Sequence, residues 1–194
     1  MRVTDPKALR AMAHPLRLEL IEVLNRTGPA TAARCARILG STQASCSFHL
    51  RQLAKYGYVE EADAGPDRRE RRWRLVDFSQ EISERDVGPA ASDEFGRVFV
   101  EREATRILDW IDSCRTEPDE WRLAAMLGGA TLPLSLEDLD AIKDGFRRVL
   151  EPYIARVSPD GTPLEPGQRH VRVFMAANPL PDLDEGDGAD VGSA

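Results

Sequence analysis

The sequence predicts an α+β fold: an N-terminal domain of helices and a β-hairpin, then a long dimerisation helix and a small C-terminal α/β unit. Three observations predict it. Four short helices are indicated within residues 1–56. After Gly57 the helical period gives way to the alternation of strands. A long helical pattern and strand-like segments follow. We expect three parts, at residues 1–78, 79–178 and 179–194, the last a disordered acidic tail.

Composition limits the class of protein. The 194 residues are 42% apolar and 30% charged, ordinary values for a globular chain. No apolar run approaches the ~20 residues that span a bilayer. The first five residues lack the apolar stretch of a signal peptide. Three widely spaced cysteines do not make a disulfide framework. We expect a cytoplasmic protein without membrane contact.

The charge is unevenly distributed along the chain. Residues 1–78 hold 14 Lys and Arg against 9 Asp and Glu, a balance of +5. Residues 79–194 hold 12 against 24, a balance of −12. The net charge of −7 therefore conceals a basic first part, which favours a polyanionic partner for that part.

The first two helices are marked by proline at their starts. Thr4-Asp5-Pro6 predicts the start of the first, and His14-Pro15 ends it and begins the second. Asn25 to Pro29 ends the second helix, with Gly28 as its C-terminal cap. The apolar positions are Leu9, Met12, Leu16, Leu20, Val23 and Leu24.

Two further helices and a hairpin follow. Thr31 caps a third helix that ends at Gly40, and Ser41-Thr42 caps a fourth that runs over about 42–56. Tyr58 to Glu61 and Arg71 to Val76 are predicted strands, joined by the turn residues Ala64 to Asp67. Helices followed by such a hairpin are the layout of a winged helix-turn-helix domain.

Three segments carry a resemblance to a known family. MAHPLRLELIEVL, GPATAARCARILGSTQASCSFHLRQLAKYGYVEEA and RRERRWRLV resemble, in this order, the ArsR-like winged-helix transcriptional regulators of bacteria. The resemblance covers residues 5–78. It implies a transcriptional regulator that binds double-stranded DNA as a homodimer.

The fourth helix has two faces. Cys46, Leu50 and Leu53 form one, which should pack on the preceding helices. The other face is then free to enter the major groove of DNA, where Gln43 pairs with adenine and Arg51 meets phosphate. The predicted DNA-binding residues of this helix are Thr42, Gln43, Ala44, Ser45, Ser47, Phe48 and Arg51.

The hairpin is rich in arginine. Its residues 63–74 form the predicted wing, which would lie on the DNA backbone or in the minor groove. The predicted contacts are Arg68, Arg69, Arg71 and Arg72, and Arg74 is also present. An ordinary charged surface is the alternative. Trp73 is expected to pack on the helices.

The predicted long helix runs from Ser92 to Arg115. It resembles a dimerisation element of the family, as does the first helix. The predicted dimerisation residues are Leu9, Phe95, Phe99, Ile107 and Trp110. The aromatic members could equally pack within the chain.

The C-terminal unit has a predicted strand within Leu123 to Leu134, a helix capped by Ser135 and Asp138, and a strand at Val171 to Ala176. We expect this unit to assist dimerisation or to receive a signal from a small-molecule or protein effector. Its apolar residues form either a core or a pocket for an apolar effector.

Metal binding and catalysis are not indicated. Cys46 and His49 are three residues apart on one helix, but both positions belong to its packed side. The ligand pairs typical of the family, Cys-x-Cys and Asp-x-His, are missing. No phosphate-binding glycine loop, His-Glu-x-x-His or nucleophile elbow is present. We expect no metal, no cofactor and no enzyme activity.

The sequence therefore predicts a sequence-specific regulator that binds duplex DNA. The alternative, from another class, is a protein-interaction module that uses the winged helix as a docking surface and has little affinity for DNA.

Overall fold

The computed structural model describes residues 1–63, 71–77, 81–158, 161 and 164–181. Within them the chain forms β1 (Arg2–Val3), α1 (Pro6–Met12), α2 (Pro15–Thr27), β2 (Ala30–Thr31), α3 (Ala32–Leu39), α4 (Gln43–Lys55), β3 (Val59–Glu61), β4 (Arg72–Leu75), β5 (Glu81–Ile82), α5 (Glu84–Val87), α6 (Pro89–Ser113), α7 (Asp119–Ala124) and α8 (Leu136–Ile154). A single 3-10 turn, Cys114–Thr116, follows α6.

The N-terminal helices begin where the capping residues predict. The Asp5 carboxylate accepts a hydrogen bond from the Lys7 N–H at 2.8 Å at the start of α1. Thr31 caps α3 and Thr42 caps α4 through their hydroxyl groups, at 3.2 Å and 3.1 Å. His14 caps α2, since its Nδ1 accepts from the Leu16 N–H at 3.2 Å. These bonds satisfy amide groups that a helix start leaves unpaired.

The helix ends also follow the sequence. Gly28 ends α2 with φ of 66°, and Gly40 ends α3 with φ of 61°. Both values lie in the left-handed region, which glycine adopts readily because it has no Cβ to clash with the backbone. The four predicted helices are therefore confirmed in order and position.

A three-stranded antiparallel sheet follows, in the order β2–β4–β3. Ala30 pairs with Trp73, and Val59 pairs with Leu75. Along β4, Trp73 and Leu75 are buried while Arg72 and Arg74 lie on the other face. The packing of Trp73 on the helices is confirmed. Strand β2, only two residues long, was not predicted, and the predicted turn Ala64 to Asp67 lies outside the described residues.

The hydrophobic core lies in the N-terminal part of the chain. It extends from Val3 to Ala91 and includes the predicted inward face of α4, where Cys46, Leu50 and Leu53 have no exposed surface. Half-buried Phe95, Val98 and Phe99 of α6 pack against it. Among the described residues after Ala91, only Glu103 is buried.

The start of the chain pairs with the segment after the wing. Strands β1 and β5 run parallel, with Arg2 opposite Glu81 and Val3 opposite Ile82. This pair, which was not predicted, joins residues from both sides of the boundary expected at residue 78. The long helix is confirmed, and as α6 it begins three residues earlier than Ser92 and packs on α1 and α2.

Two predicted C-terminal strands are wrong. The segment Leu123 to Leu134 holds the end of α7 and then chain without regular secondary structure, and Val171 to Ala176 has no strand partner among the described residues. A strand needs a neighbour for its backbone groups, and Gly128, Gly129 and Pro133 interrupt the first segment. Among the described residues after Ile82 there is no strand, so this unit is helical. The capping box of Ser135 and Asp138 at the start of α8 is confirmed.

A buried ionic cluster joins the C-terminal segment to α6. The Arg172 guanidinium donates to both oxygens of the Glu103 carboxylate, each at 2.9 Å. Arg102 donates to Glu103 at 3.1 Å and also pairs with Glu22 of α2. The Arg106 guanidinium donates to Glu22 at 2.5 Å and 3.1 Å. Three arginines therefore neutralise two carboxylates between α2, α6 and residues 168–174.

The ionic cluster keeps Glu22 ionised. Burial opposes the charged form of this carboxyl, but the hydrogen bonds and positive charges of Arg106 and Arg102 outweigh it and lower its pKa. A half-buried carboxylate in such a position depends on its partners, because an unpaired charge with reduced access to water is costly.

Candidate nucleic-acid interface

The outward face of α4 is accessible along its first three turns. Gln43, Ala44, Phe48 and Arg51 are exposed, and Ser45 and Ser47 are half-buried. The face is polar apart from Ala44 and Phe48. It carries amide, hydroxyl and guanidinium groups, the donors and acceptors that read base edges and phosphates.

An open cleft brings this face together with the wing. Gln43, Ser47 and Arg51 of α4 line one side, and Arg71 and Trp73 line the other. The start of α3 completes the cleft with Thr31, Ala32 and Ala33. Sequence reasoning missed these last three residues. Their small size was the available signal, since small side chains leave room beside a helix that protrudes.

The two arginines of the cleft are held in place. The Arg51 guanidinium donates to the Ser47 hydroxyl at 3.3 Å. Arg71 pairs with Glu61 at 3.0 Å, and its guanidinium carbon lies 5.8 Å from the centre of the Trp73 ring. Both side chains remain exposed, so their remaining donors face solvent.

Two of the other wing arginines have partners within the protein, and two lie outside the described residues. Arg72 donates to the Pro29 carbonyl at 3.0 Å and so ties β4 to the chain before β2. Arg74 pairs with Glu60 at 2.7 Å. Arg68 and Arg69 lie outside the described residues. Of the predicted wing contacts within the described residues, Arg71 lies beside the outward face of α4.

A second cluster lies behind α4, between it and the α1–α2 junction. The rings of His14 and His49 are 4.3 Å apart, and burial together with the charge of Arg17 lowers the pKa of His14. Burial, His14 and Arg17 lower the pKa of His49 in the same way. Burial also lowers the pKa of Arg17 itself. Neutral imidazoles are therefore favoured where α4 rests on the second helix.

The cysteines of the domain are buried. Burial raises the pKa of Cys35 to about 11 and also raises that of Cys46, which favours the thiol form over the reactive thiolate. His49 was considered together with Cys46 as a possible pair of metal ligands. Its ring packs at a tilt against the ring of His14. No group of three or more potential metal ligands occurs among the residues that the structure describes.

The predicted dimerisation residues lie mainly against the chain itself. Leu9 has no exposed surface. Phe95 and Phe99 stack at 5.6 Å and touch the core, and Phe99 lies 6.0 Å from Phe174. Ile107 and Trp110 are half-buried on the following turns.

The outer side of α6 carries apolar residues that were not among the predicted dimerisation residues. Val100 is 52% exposed, Leu108 60% and Ile111 46%. Together with Ile107 they recur at the spacing of one helix face. The spacing was visible in the sequence, but which of the two apolar faces of the helix turns outward depends on its packing with α1 and α2.

The element order and the sheet define a winged helix-turn-helix domain, with α3 and α4 as the helix-turn-helix and β3–β4 as the wing. A family model described as a helix-turn-helix domain matches residues 12–61, which run from the end of α1 to β3. The predicted helix-turn-helix fold is thereby confirmed for this part of the chain. No curated protein matches the sequence.

Several solved structures are similar in part. The homodimeric winged helix-turn-helix DNA-binding domain of a possible ArsR-family regulator from Mycobacterium bovis is 21% identical over 50% of this chain and 76% of that chain, with a TM-score of 0.33. A probable transcriptional regulator from Pseudomonas aeruginosa is 18% identical over 74% and 88%, with a TM-score of 0.32. An MepR mutant from S. aureus, bound to an oligodeoxyribonucleotide, is 17% identical over 76% and 87%, with a TM-score of 0.30.

No helix of the described residues combines the length and the apolar character needed to cross a membrane.

Proposed function

We propose that this protein is a homodimeric, sequence-specific transcriptional regulator of the ArsR-like type that binds duplex DNA. Helix α4 enters the major groove, and the wing lies on the backbone or in the minor groove. Gln43 and Ser47 contact base edges, with Phe48 and Ala44 beside them. Thr42, Ser45 and the arginines Arg51, Arg68, Arg69 and Arg71 contact the sugar-phosphate backbone or support these contacts.

The observation that supports this proposal best is the shared cleft. Residues of α4 that can hydrogen-bond to bases lie opposite Arg71 of the wing, and among the described residues that line the cleft none is acidic. The surrounding segment, residues 1–78, has a positive balance of charge. A polar reading face flanked by guanidinium groups fits a polyanion whose grooves expose donors and acceptors.

Dimerisation places two such faces on one duplex, since two-fold symmetric proteins bind sites with two half-sites. We propose the outer side of α6, with Ile107, Val100, Leu108 and Ile111, as the main contact between the two copies. Leu9, Phe95, Phe99 and Trp110 support this contact from beneath by packing α6 on the N-terminal domain.

Selection from a random pool of duplexes tests the proposal. The full chain is expected to enrich one motif with two related halves, and the enriched duplex should bind more tightly than a scrambled duplex of the same length. Recovery of no motif, with equal binding to both duplexes, would exclude sequence-specific recognition. The double variant Gln43→Ala with Ser47→Ala provides the control, because it should lose the preference and keep the fold.

A further inference from the structure

Helix α8 is an amphipathic helix whose apolar side is covered only in part by the rest of the chain. It is 19 residues long, and no residue in it is buried. Val149 is 66% exposed, Tyr153 58% and Ile142 40%. The helix makes only slight contact with the other described elements. An isolated helix with an exposed apolar stripe is marginal in water, so a partner surface is required for its stability.

The spacing of the stripe indicates that the partner is another helix. Its members Leu139, Ile142, Phe146, Val149 and Tyr153 are separated by alternating steps of three and four residues. This is the heptad repeat, in which side chains of one helix insert between those of a second helix over their whole length. At ~1.5 Å per residue, the stripe from Leu139 to Tyr153 offers a seam of about 21 Å.

The charges of α8 indicate which helix is its partner. Residues 136–144 hold four acidic side chains and one lysine, whereas residues 145–156 hold three arginines and one glutamate. Two copies placed antiparallel set the acidic half of each beside the basic half of the other. A parallel pair would set like charges together, which costs stability. Two ion pairs lie within this exposed helix, Lys143 with Asp140 at 2.6 Å and Arg147 with Asp144 at 3.5 Å. With these pairs formed, the first half of the helix keeps a negative net charge and the second half a positive one.

We propose that α8 pairs antiparallel with α8 of a second copy of this chain, as an interface additional to the α6 contact proposed above. The antiparallel pair is two-fold symmetric, as the interface of a homodimer must be. The C-terminal unit is then an assembly element.

Sedimentation equilibrium of the full chain measures this contact. Val149→Asp places a carboxylate in the seam and is expected to weaken self-association about tenfold or more, since a charge would be buried without a partner. Ala141→Asp adds the same charge at an exposed position of α8 outside the stripe and should leave the dissociation constant unchanged. Circular dichroism confirms that both variants keep their helix content. An unchanged constant for Val149→Asp would overturn the proposal.

Cross-linking tests the antiparallel orientation. In a Cys114→Ser background, Ile142→Cys and Tyr153→Cys place thiols near the two ends of the stripe, on the side of α8 that meets the second copy. Mild oxidation of an equimolar mixture should yield a disulfide between the two variants, and neither variant alone should cross-link. Self-cross-linking of either variant, or no product in the mixture, would overturn it. The selection of DNA is independent of both tests, so either proposal can fail without the other.

Discussion

At the scale of single residues, the molecule separates positions that hold the fold from positions that face outward on the same helix. On α4, Cys46 and Leu50 are fully buried, while Gln43 and Arg51, a few residues away, are exposed. The separation follows from the 3.6-residue period and was predicted from the sequence. Substitution on the outer side should therefore change recognition with little effect on stability.

Gln43→Ala is expected to weaken binding to the selected duplex by about 1–3 kcal/mol, the usual contribution of one side chain that pairs with a base. Binding to a scrambled duplex should change little. Fluorescence anisotropy with both duplexes measures the difference. Gln52→Ala is the matched control, because Gln52 lies on another side of α4, outside the cleft. Equal losses on both duplexes would assign Gln43 to the backbone instead of the bases.

The paired imidazoles predict a pH dependence of stability. The pKa values of His14 and His49 both lie below the ordinary 6.5 in the folded chain. As the pH falls through 6.5, the unfolded chain takes up protons that the folded chain resists, so the free energy of unfolding falls. Urea unfolding between about pH 8 and about pH 5.5 should show this loss.

The double variant His14→Gln with His49→Gln is expected to flatten this pH profile. His170, exposed in the C-terminal segment, provides the control, and His170→Gln should leave the profile as in the wild type. A double variant that still loses as much stability as the wild type would show that other groups cause the effect.

At the scale of elements, local signals predicted the N-terminal helices well. Helix starts are capped by the hydroxyl groups of Thr31 and Thr42, and helix ends are set by the backbone of Gly28 and Gly40. These interactions are local and depend on few distant residues. The alternation of Trp73 and Leu75 likewise fixed the inner face of β4. The accessible side of α4 followed from the same pattern.

Elements that depend on distant partners were not predicted. Strands β1 and β5 are two residues each and exist because the two segments meet. Conversely, Val171 to Ala176 has the residue types of a strand but finds no strand beside it; Arg172 and Phe174 are instead held at Glu103 and Phe99. Sequence period indicates which residues suit a strand and does not supply the neighbour that a strand requires.

The wing is expected to supply affinity independent of sequence. Replacement of Arg68, Arg69 and Arg71 by alanine should weaken binding to all duplexes and reduce the slope of log affinity against log salt by up to ~0.9 for each lost phosphate contact. Titrations at several salt concentrations measure the slope. Replacement of the exposed arginines Arg85, Arg97 and Arg115, outside the wing, is the control with equal charge. A slope that the wing variant leaves unchanged would place the hairpin away from DNA.

At the scale of the whole molecule, one core and one ionic cluster organise the chain. The core ends at Ala91, and the C-terminal segment is attached to α6 mainly through Glu103, its arginines and the Phe99–Phe174 contact. The first turns of α6 therefore belong to the packing of the N-terminal domain. The helices beyond it expose apolar faces that fit assembly.

Arg172→Ala is expected to destabilise the chain by about 1–3 kcal/mol, since it removes two hydrogen bonds from the buried Glu103 carboxylate. Arg102 still pairs with Glu103, which limits the loss. Thermal unfolding of Arg172→Ala, Glu103→Gln and the double variant forms a double-mutant cycle. Additive effects in this cycle would show that the two side chains do not interact. Arg147→Ala, which removes an exposed pair with Asp144, should have little effect.

The salt dependence of duplex binding tests the central claim most directly. Binding of the full chain to the selected duplex, measured by anisotropy across a series of salt concentrations, should weaken steeply and linearly on logarithmic axes, because each neutralised phosphate releases counterions. The same series with a scrambled duplex should run roughly parallel at lower affinity. A chain that binds neither duplex at low salt, or whose weak binding is insensitive to salt, would contradict the account and favour a winged helix that docks on proteins.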